Sequence, residues 1–123
     1  MKKLILPICF LFLIFPSCKE EVDPILICGV TSPTEELTWL NTIVEELNES
    51  YLGPYFYVSS GTYEGQSVFL IENCCPNCNS VIPVYTCEGQ SLGVLGFDGA
   101  GIEPSAIEDK LVIWRGEGNL CSQ

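Results

Sequence analysis

The 123-residue sequence predicts one small α+β domain that is cross-linked by disulfides. An N-terminal amphipathic helix is expected to pack on a four- to five-stranded antiparallel sheet. Three observations predict this fold class. Apolar residues recur at helical spacing early in the chain, short strand-like segments separated by turn residues follow, and the chain holds eight cysteines. So many cysteines in so short a chain are typical of a disulfide framework.

Residues 1–17 have the organisation of a signal peptide. Lys2 and Lys3 precede a 12-residue apolar run, 4–15, whereas a membrane-spanning helix needs about 20 apolar residues. The run ends in Phe15-Pro16-Ser17-Cys18, which resembles a relaxed form of the lipobox of bacterial lipoproteins. That resemblance implies cleavage before Cys18 and a diacylglycerol on its thiol. A plain secretory signal, with Cys18 as an ordinary half-cystine, is the alternative.

The three residues after the predicted cleavage site resemble a surface-export signal. They are Lys19, Glu20 and Glu21, and similar sequences direct lipoproteins of Bacteroidota to the outer leaflet of the outer membrane. A solvated charged tether is the alternative. The predicted organisation is therefore a lipidated cysteine, an acidic tether and a short lead-in segment over 18–31, ahead of a single domain over 32–123, in a surface-exposed outer-membrane lipoprotein.

The charge of the predicted mature chain excludes several classes of partner and chemistry. Loss of residues 1–17 leaves 16 acids and three bases, so the net charge is −13. Such a surface repels nucleic acid and anionic lipid headgroups, and membrane attachment must come from the acyl chains. The chain has no histidine, which excludes His-dependent catalytic triads and metal sites.

A helix is predicted over 33–49. Ser32 is the expected N-cap, Pro33 takes the first helical position, and Glu35 completes a capping box. An apolar stripe at spacings of 3, 4 and 3 follows, and Gly53-Pro54 ends the helical segment. The stripe consists of Leu37, Leu40, Val44 and Leu47, joined by Ile43.

The rest of the chain has strand character. Strand-like segments lie at 55–58, 67–71, 81–87, 91–96 and 111–114. Glu64-Gly65 predicts a hairpin turn between the first two segments, and Glu88-Gly89 predicts a second turn. Pro83 indicates a sheet edge or a bulge in the third segment, and 105–110 is expected to form a helical turn.

Six cysteines remain as disulfide candidates once Cys9 is assigned to the signal peptide and Cys18 to the lipid anchor. Six cysteines allow 15 pairings, among which the spacing does not choose. A Cys28–Cys121 bridge would tie the helix start to the end of the chain, and the other four would pair locally. The adjacent Cys74 and Cys75 are expected to bond to different partners. The six candidates are Cys28, Cys74, Cys75, Cys78, Cys87 and Cys121.

The cluster Cys74-Cys75-Pro76-Asn77-Cys78 has three interpretations. The segment 75–78 resembles the redox-active CPxC of thioredoxin-like proteins, although the helix that such a motif requires is not predicted after it. Thiolates of Cys75, Cys78 and Cys87 are suited to Zn or Cu(I), although only one CxxC pair is present. Structural disulfides that pin a loop between strands are the preferred interpretation.

Four segments carry a family resemblance. Residues 28–30, 37–40, 61–69 and 84–89 are similar to small uncharacterised lipoproteins of Bacteroidota, a family with a domain of unknown function. The resemblance covers most of 28–114. It implies export, lipidation and a shared fold, and it implies no catalytic residue.

These features predict a non-enzymatic, lipid-anchored cell-envelope protein without a cofactor. It is expected to act as a binding or interaction module through an acidic sheet face, on an unidentified envelope or extracellular partner. The carboxylate pairs Glu45-Glu46 and Glu108-Asp109 favour solvated surface over acid–base catalysis, because neighbours in sequence do not face each other on a helix. The alternative is an extracytoplasmic thiol-redox or metal-thiolate protein that uses the CCPNC cluster.

Overall fold

A computed structural model describes Ile14, Pro16 and the ranges 23–96 and 99–121. The predicted lipidation site Cys18 and the export residues 19–21 lie outside these described residues. None of the helices in the described part has the length and apolarity needed to cross a bilayer. The elements are α1 (Pro33–Glu36), α2 (Thr38–Glu49), β1 (Phe56–Tyr63), β2 (Gln66–Asn73), β3 (Pro83–Thr86), β4 (Ser91–Val94) and β5 (Glu108–Arg115), with short 3₁₀ turns at Gly53–Tyr55 and Pro104–Ala106.

The predicted single helix is divided at Leu37. This residue has an extended backbone, with ψ of 109°, so it ends α1 and precedes α2. Its carbonyl still accepts a hydrogen bond from the Asn41 N–H at 2.9 Å. The expected capping box is also displaced by one residue, since it is the Glu36 carboxylate, and not Glu35, that accepts the Ser32 N–H at 2.7 Å.

The five strands form one antiparallel sheet in the order β4-β3-β2-β1-β5. The first four strands make a meander, and β5 returns to pair with the outer side of β1. The predicted hairpin turn is confirmed, because Tyr63 pairs with Gln66 and the two turn residues Glu64 and Gly65 have φ of 48° and 79°. The sheet and the helix together confirm the antiparallel α+β arrangement.

Two local expectations are corrected by the sheet. The segment 105–110 is not a helical turn throughout: a 3₁₀ turn ends at Ala106, and β5 begins at Glu108, which pairs with Thr62 of β1. Pro83 begins β3, and β3 lies inside the sheet with β4 at the edge. The β3–β4 register does shift between Val84 and Tyr85, which is the bulge that Pro83 suggested as the alternative.

Both faces of the sheet are covered, which explains why five consecutive residues of β2, from Val68 to Glu72, are buried. The apolar stripe of α2 packs on one face against Val58, Phe69 and Ile71. The connection between β4 and β5 crosses the other face, where Ile102 and Ile107 pack on Val68, Leu70 and Val84.

Trp39 joins the helix to the β3–β4 hairpin. Its ring lies 5.7 Å from Phe69 and 5.5 Å from Tyr85, centroid to centroid, and its indole N–H donates to the Cys87 carbonyl at 2.9 Å. Gly89, at φ of 83°, passes so close that a Cβ there would lie 2.7 Å from the indole. Glycine is therefore required in the second predicted turn both by the close contact with Trp39 and by the positive φ of the backbone.

All six candidate cysteines are paired, which confirms the disulfide framework. Their Cα atoms are 5.4 to 5.7 Å apart, within the usual range for a disulfide. As expected, Cys74 and Cys75 have different partners. The pairs are Cys28–Cys87, Cys74–Cys121 and Cys75–Cys78.

The expected Cys28–Cys121 bridge is wrong because Cys121 is held beside the start of β1. The Leu120 N–H donates to the Pro54 carbonyl at 2.8 Å, and the Asn119 side chain donates to the Phe56 carbonyl at 3.0 Å. The Cys74 N–H donates to the Tyr55 carbonyl at 2.9 Å, so the end of β2 and the last described residues meet beside the start of β1. Cys28 instead sits in a tight turn and reaches Cys87 at the end of β3.

The pairings predict unequal contributions to stability. Cys28–Cys87 spans 59 residues and Cys75–Cys78 spans three. Because a disulfide restricts the unfolded chain more when its loop is longer, the double variant Cys28→Ser/Cys87→Ser should lose about 4 kcal/mol of unfolding free energy. The matched control Cys75→Ser/Cys78→Ser should lose less than about 2 kcal/mol. Urea unfolding measures both losses, and equal losses would contradict this assignment.

Candidate functional site

The clearest candidate site is a cleft of about 400 Å³ on the sheet face opposite α2. Glu72 of β2 and Lys110 of β5 form its floor. The loop that precedes β3 supplies one wall and the β4–β5 connection supplies the other. The wall residues are Ser80, Val81, Ile82, Leu95 and Pro104. We call this feature the Glu72 cleft.

The floor of the Glu72 cleft holds a buried carboxylate. Glu72 is 3% exposed, and one of its oxygens accepts a hydrogen bond from the Lys110 ammonium at 2.6 Å. The other oxygen accepts from the hydroxyl of the fully buried Ser59. A charge removed from water is tolerated only when it is paired and hydrogen-bonded, and these two donors meet that requirement.

The topology of the sheet brings these three residues together. On β1, Tyr57 pairs with Glu72 and Ser59 pairs with Leu70, so the two β1 side chains lie on the same face as Glu72. On its other side, Ser59 pairs with Val112 of β5. Lys110 lies two residues before Val112 and reaches Glu72 across β1. The ion pair therefore depends on the return of β5 to the outer side of β1.

Lys110 is the group of the cleft that is free to meet a ligand. Its side chain is 40% exposed, and an ammonium has three N–H donors, of which one goes to Glu72. The neighbouring wall is apolar, and Val81 is 68% exposed. An apolar wall with a few convergent polar groups is the usual composition of a small-molecule site.

Tyr57 lies beside this ion pair. Its pKa is raised above the ordinary value of 10.0, first because partial burial disfavours the phenolate and second because the Glu72 carboxylate repels it. The Lys110 ammonium acts in the opposite direction and lowers the pKa less than the other two raise it.

The cysteine cluster frames the Glu72 cleft. Cys74–Cys121 and Cys75–Cys78 hold the loop that leads to the wall residues Ser80–Ile82. Cys78 is exposed, but the next element after it is β3 rather than a helix. The loop thus lacks the helix N-terminus that lowers the pKa of the nucleophile in thioredoxin-like CPxC sites.

The alternative metal set is not assembled. Cys87 is bonded to Cys28, whereas Cys75 and Cys78 are bonded to each other. In the ranges 23–96 and 99–121, no group of three or more Cys, Asp or Glu side chains is placed to hold a metal ion.

The exposed carboxylates do not form the acidic sheet face that the sequence suggested. Five of them lie on α1 and α2, two lie in the hairpin turns, and three lie in loops. On the sheet itself, Glu108 and Asp109 are exposed at the start of the edge strand β5. Because both sheet faces are covered, the acidic surface is divided over the outside of the helices and the turns.

Sequence reasoning did not identify Ser59, Glu72 or Lys110 as site residues. One signal was available for Glu72, since the alternation in β2 places it on the same side as Val68 and Leu70. A carboxylate at a strand position whose side chain points to the buried face requires a hydrogen-bonding or oppositely charged partner. The partner itself is 38 residues away, on a strand whose position in the sheet the sequence pattern does not give.

Comparisons with known proteins return no match: no family model, no curated protein and no solved structure matches this chain. The family resemblance remains a prediction from the sequence.

The buried ion pair predicts an asymmetric response to mutation. Lys110→Ala leaves the buried carboxylate with one donor and should cost about 2–3 kcal/mol of unfolding free energy. Glu72→Gln should cost only about 1 kcal/mol, because the amide oxygen still accepts from Ser59 and the lysine turns into water. Urea unfolding of the two variants tests this order, and a costlier Glu72→Gln would contradict it.

Tyr57 predicts a loss of stability at high pH. Because its pKa is higher in the folded state than the unfolded value of 10.0, its contribution is fully present below pH 10.0 and is lost as the pH rises through the folded-state pKa. We expect Tyr57→Phe to flatten the alkaline decline in unfolding free energy above about pH 10. An unchanged pH profile would show that the phenol is not coupled to folding.

Proposed function

We propose that this protein is a lipid-anchored cell-envelope protein whose domain is a non-enzymatic binding module, with the Glu72 cleft as its ligand site. The observation that carries the binding role is the partly exposed Lys110 side chain beside an apolar wall. The anchor rests on the sequence around Cys18, and the disulfide framework supports an exported, oxidising location.

The chemistry of the described residues favours binding over catalysis. Ser59 is fully buried and its hydroxyl donates to Glu72, so it is not accessible as a nucleophile. The six domain cysteines are in disulfides, and the sequence contains no histidine to act as a base near neutral pH. What the cleft offers a ligand is hydrogen-bond donors and apolar surface.

The charges at the cleft define the class of ligand. Glu72 and Lys110 neutralise each other, while the chain as a whole has a net charge of −11. A negatively charged ligand is repelled at long range, and an ammonium competes with Lys110 for Glu72. The ligand that fits best is a compact amphipathic molecule whose uncharged carbonyl accepts a hydrogen bond from Lys110 and whose apolar end packs on Val81.

Thiol–disulfide exchange at Cys75–Cys78 is the second candidate function. Its support is that the bridge lies in an exposed loop and spans only three residues, so its opening disturbs the fold little. The loop lacks the helix that activates such a thiol. The oxidation state of these two cysteines in the native protein separates the two candidates.

The anchor is tested by labelling cells with a fatty-acid analogue. We expect Cys18→Ser to lose the label and the protein to leave the membrane fraction, whereas Cys9→Ser, in the apolar run, keeps both. Protease treatment of intact cells then tests surface exposure. A labelled protein that resists the protease in intact cells would contradict surface exposure but leave the anchor intact. A native protein that does not take up the label would contradict the anchor.

The binding role is tested by NMR titration of the folded domain with hexanamide, hexanoate and hexylammonium. We expect hexanamide to bind most tightly and to shift the signals of Val81, Ile82 and Leu95. Val81→Ser should weaken this binding at least about fivefold, because one contacting apolar side chain contributes about 1 kcal/mol or more. The matched control is Leu120→Ser, which alters a similarly exposed side chain outside the cleft. Equal effects of the two variants, or shifts elsewhere, would contradict the assignment.

A further inference from the structure

Three exposed apolar side chains lie together at one edge of the domain. Ile25, Leu26 and Leu111 are 78%, 58% and 53% exposed, and all three line one shallow groove of about 310 Å³. Ile25 and Leu111 also line an adjoining groove of about 510 Å³ along β5. We call Ile25, Leu26 and Leu111 the N-terminal patch. Clustered exposed apolar residues on a soluble domain are typical of a contact surface.

The length of chain before the N-terminal patch limits what can cover it. Ile25 is seven residues after Cys18, and an extended chain covers at most about 3.6 Å per residue. The patch therefore lies within about 25 Å of the anchored cysteine. A lipid on Cys18 keeps the patch within this distance of the bilayer.

We propose that the N-terminal patch docks on the bilayer that holds the anchor, at an interface of zwitterionic lipid headgroups, which have no net charge. This inference rests on the proposed function, because it needs the lipid on Cys18. Three apolar side chains by themselves bind a bilayer only weakly. A tether makes docking an intramolecular step at high effective concentration.

The charges around the patch select the lipid. Asp109 lines the smaller groove and Glu35 lines the larger one, and both are exposed. These carboxylates repel anionic headgroups. The nearby Lys110 is paired with Glu72 and does not offset them. Docking is therefore driven by burial of the apolar side chains. On lipid without net charge, the strength of docking should not change with salt concentration.

The docked orientation directs the Glu72 cleft away from the membrane. The smaller groove lies beside Ser67 near the beginning of β2, and the cleft lies beside Glu72 near its end. Five residues of strand separate these positions by about 17 Å. Lys110 lies between Asp109 and Leu111 on β5, but successive side chains of a strand point to opposite faces. With the N-terminal patch on the bilayer, the cleft is therefore on the other face of the sheet, and Glu72 and the cysteine loop are at the far end of β2.

The test uses the full lipidated protein in phosphatidylcholine vesicles with and without bromine on the acyl chains. Leu26→Trp puts a reporter in the patch, and the matched control Leu120→Trp puts one at a similarly exposed site outside it. Trp39 and Trp114 contribute equally to both variants. We expect brominated lipid to remove at least half of the added fluorescence of Leu26→Trp and to leave that of Leu120→Trp unchanged. Leu111→Ser in the Leu26→Trp chain should reduce the quenching.

The outcomes separate this inference from the proposed function. Absence of the diacylglycerol mass, with failure to float with vesicles, would overturn the anchor itself. A protein that carries the lipid and floats, but whose Leu26→Trp fluorescence is the same in both lipids, would overturn docking while leaving the anchor intact. In that second case, cross-linking of Leu26 between two chains would assign the patch to a second copy.

Discussion

The two long-range disulfides, Cys28–Cys87 and Cys74–Cys121, are the constraint on which the rest of this small domain depends. Each fastens a segment outside the sheet to the end of a sheet strand, since Cys87 follows β3 and Cys74 follows β2. Net stability of a domain is about 5–15 kcal/mol, and its two buried clusters contain five residues each. The turn at Cys28 also packs on the helix-side core through Ile27, whereas the segment before Cys121 is otherwise held by hydrogen bonds of Asn119 and Leu120 to residues near the start of β1.

The same bridges connect the fold to the site. Cys74 follows β2 directly, so its bond to Cys121 fixes the start of the loop that forms one wall of the Glu72 cleft. The opposite wall comes from the β4–β5 connection, which also brings β5 to β1. The floor then follows, because this strand order lets Lys110 reach Glu72 across Ser59.

Some features set by neighbouring residues could be predicted from the sequence, although the capping residue and the break in the helix at Leu37 were not. Features set by distant residues could not be predicted. The helical stripe and the Glu64-Gly65 turn depend on local spacing and local backbone, and both are present. The polar and small residues Ser59, Ser60 and Gly61 carry no strand pattern, yet they form the middle of β1 because β2 and β5 pair with them on both sides. The disulfide pairing and the Glu72–Lys110 ion pair join residues far apart in sequence, so local pattern contains no information about either.

We propose that the six domain cysteines are structural disulfides that frame a binding cleft, and that none of them acts as a reactive thiol. Disulfide mapping of the native protein by mass spectrometry, after thiols are trapped by alkylation at low pH, tests this most directly. The predicted result is three pairs, Cys28–Cys87, Cys74–Cys121 and Cys75–Cys78, with no alkylated cysteine in the domain. Alkylation of Cys75 and Cys78 in the native protein, or recovery of a Cys28–Cys121 peptide, would contradict it.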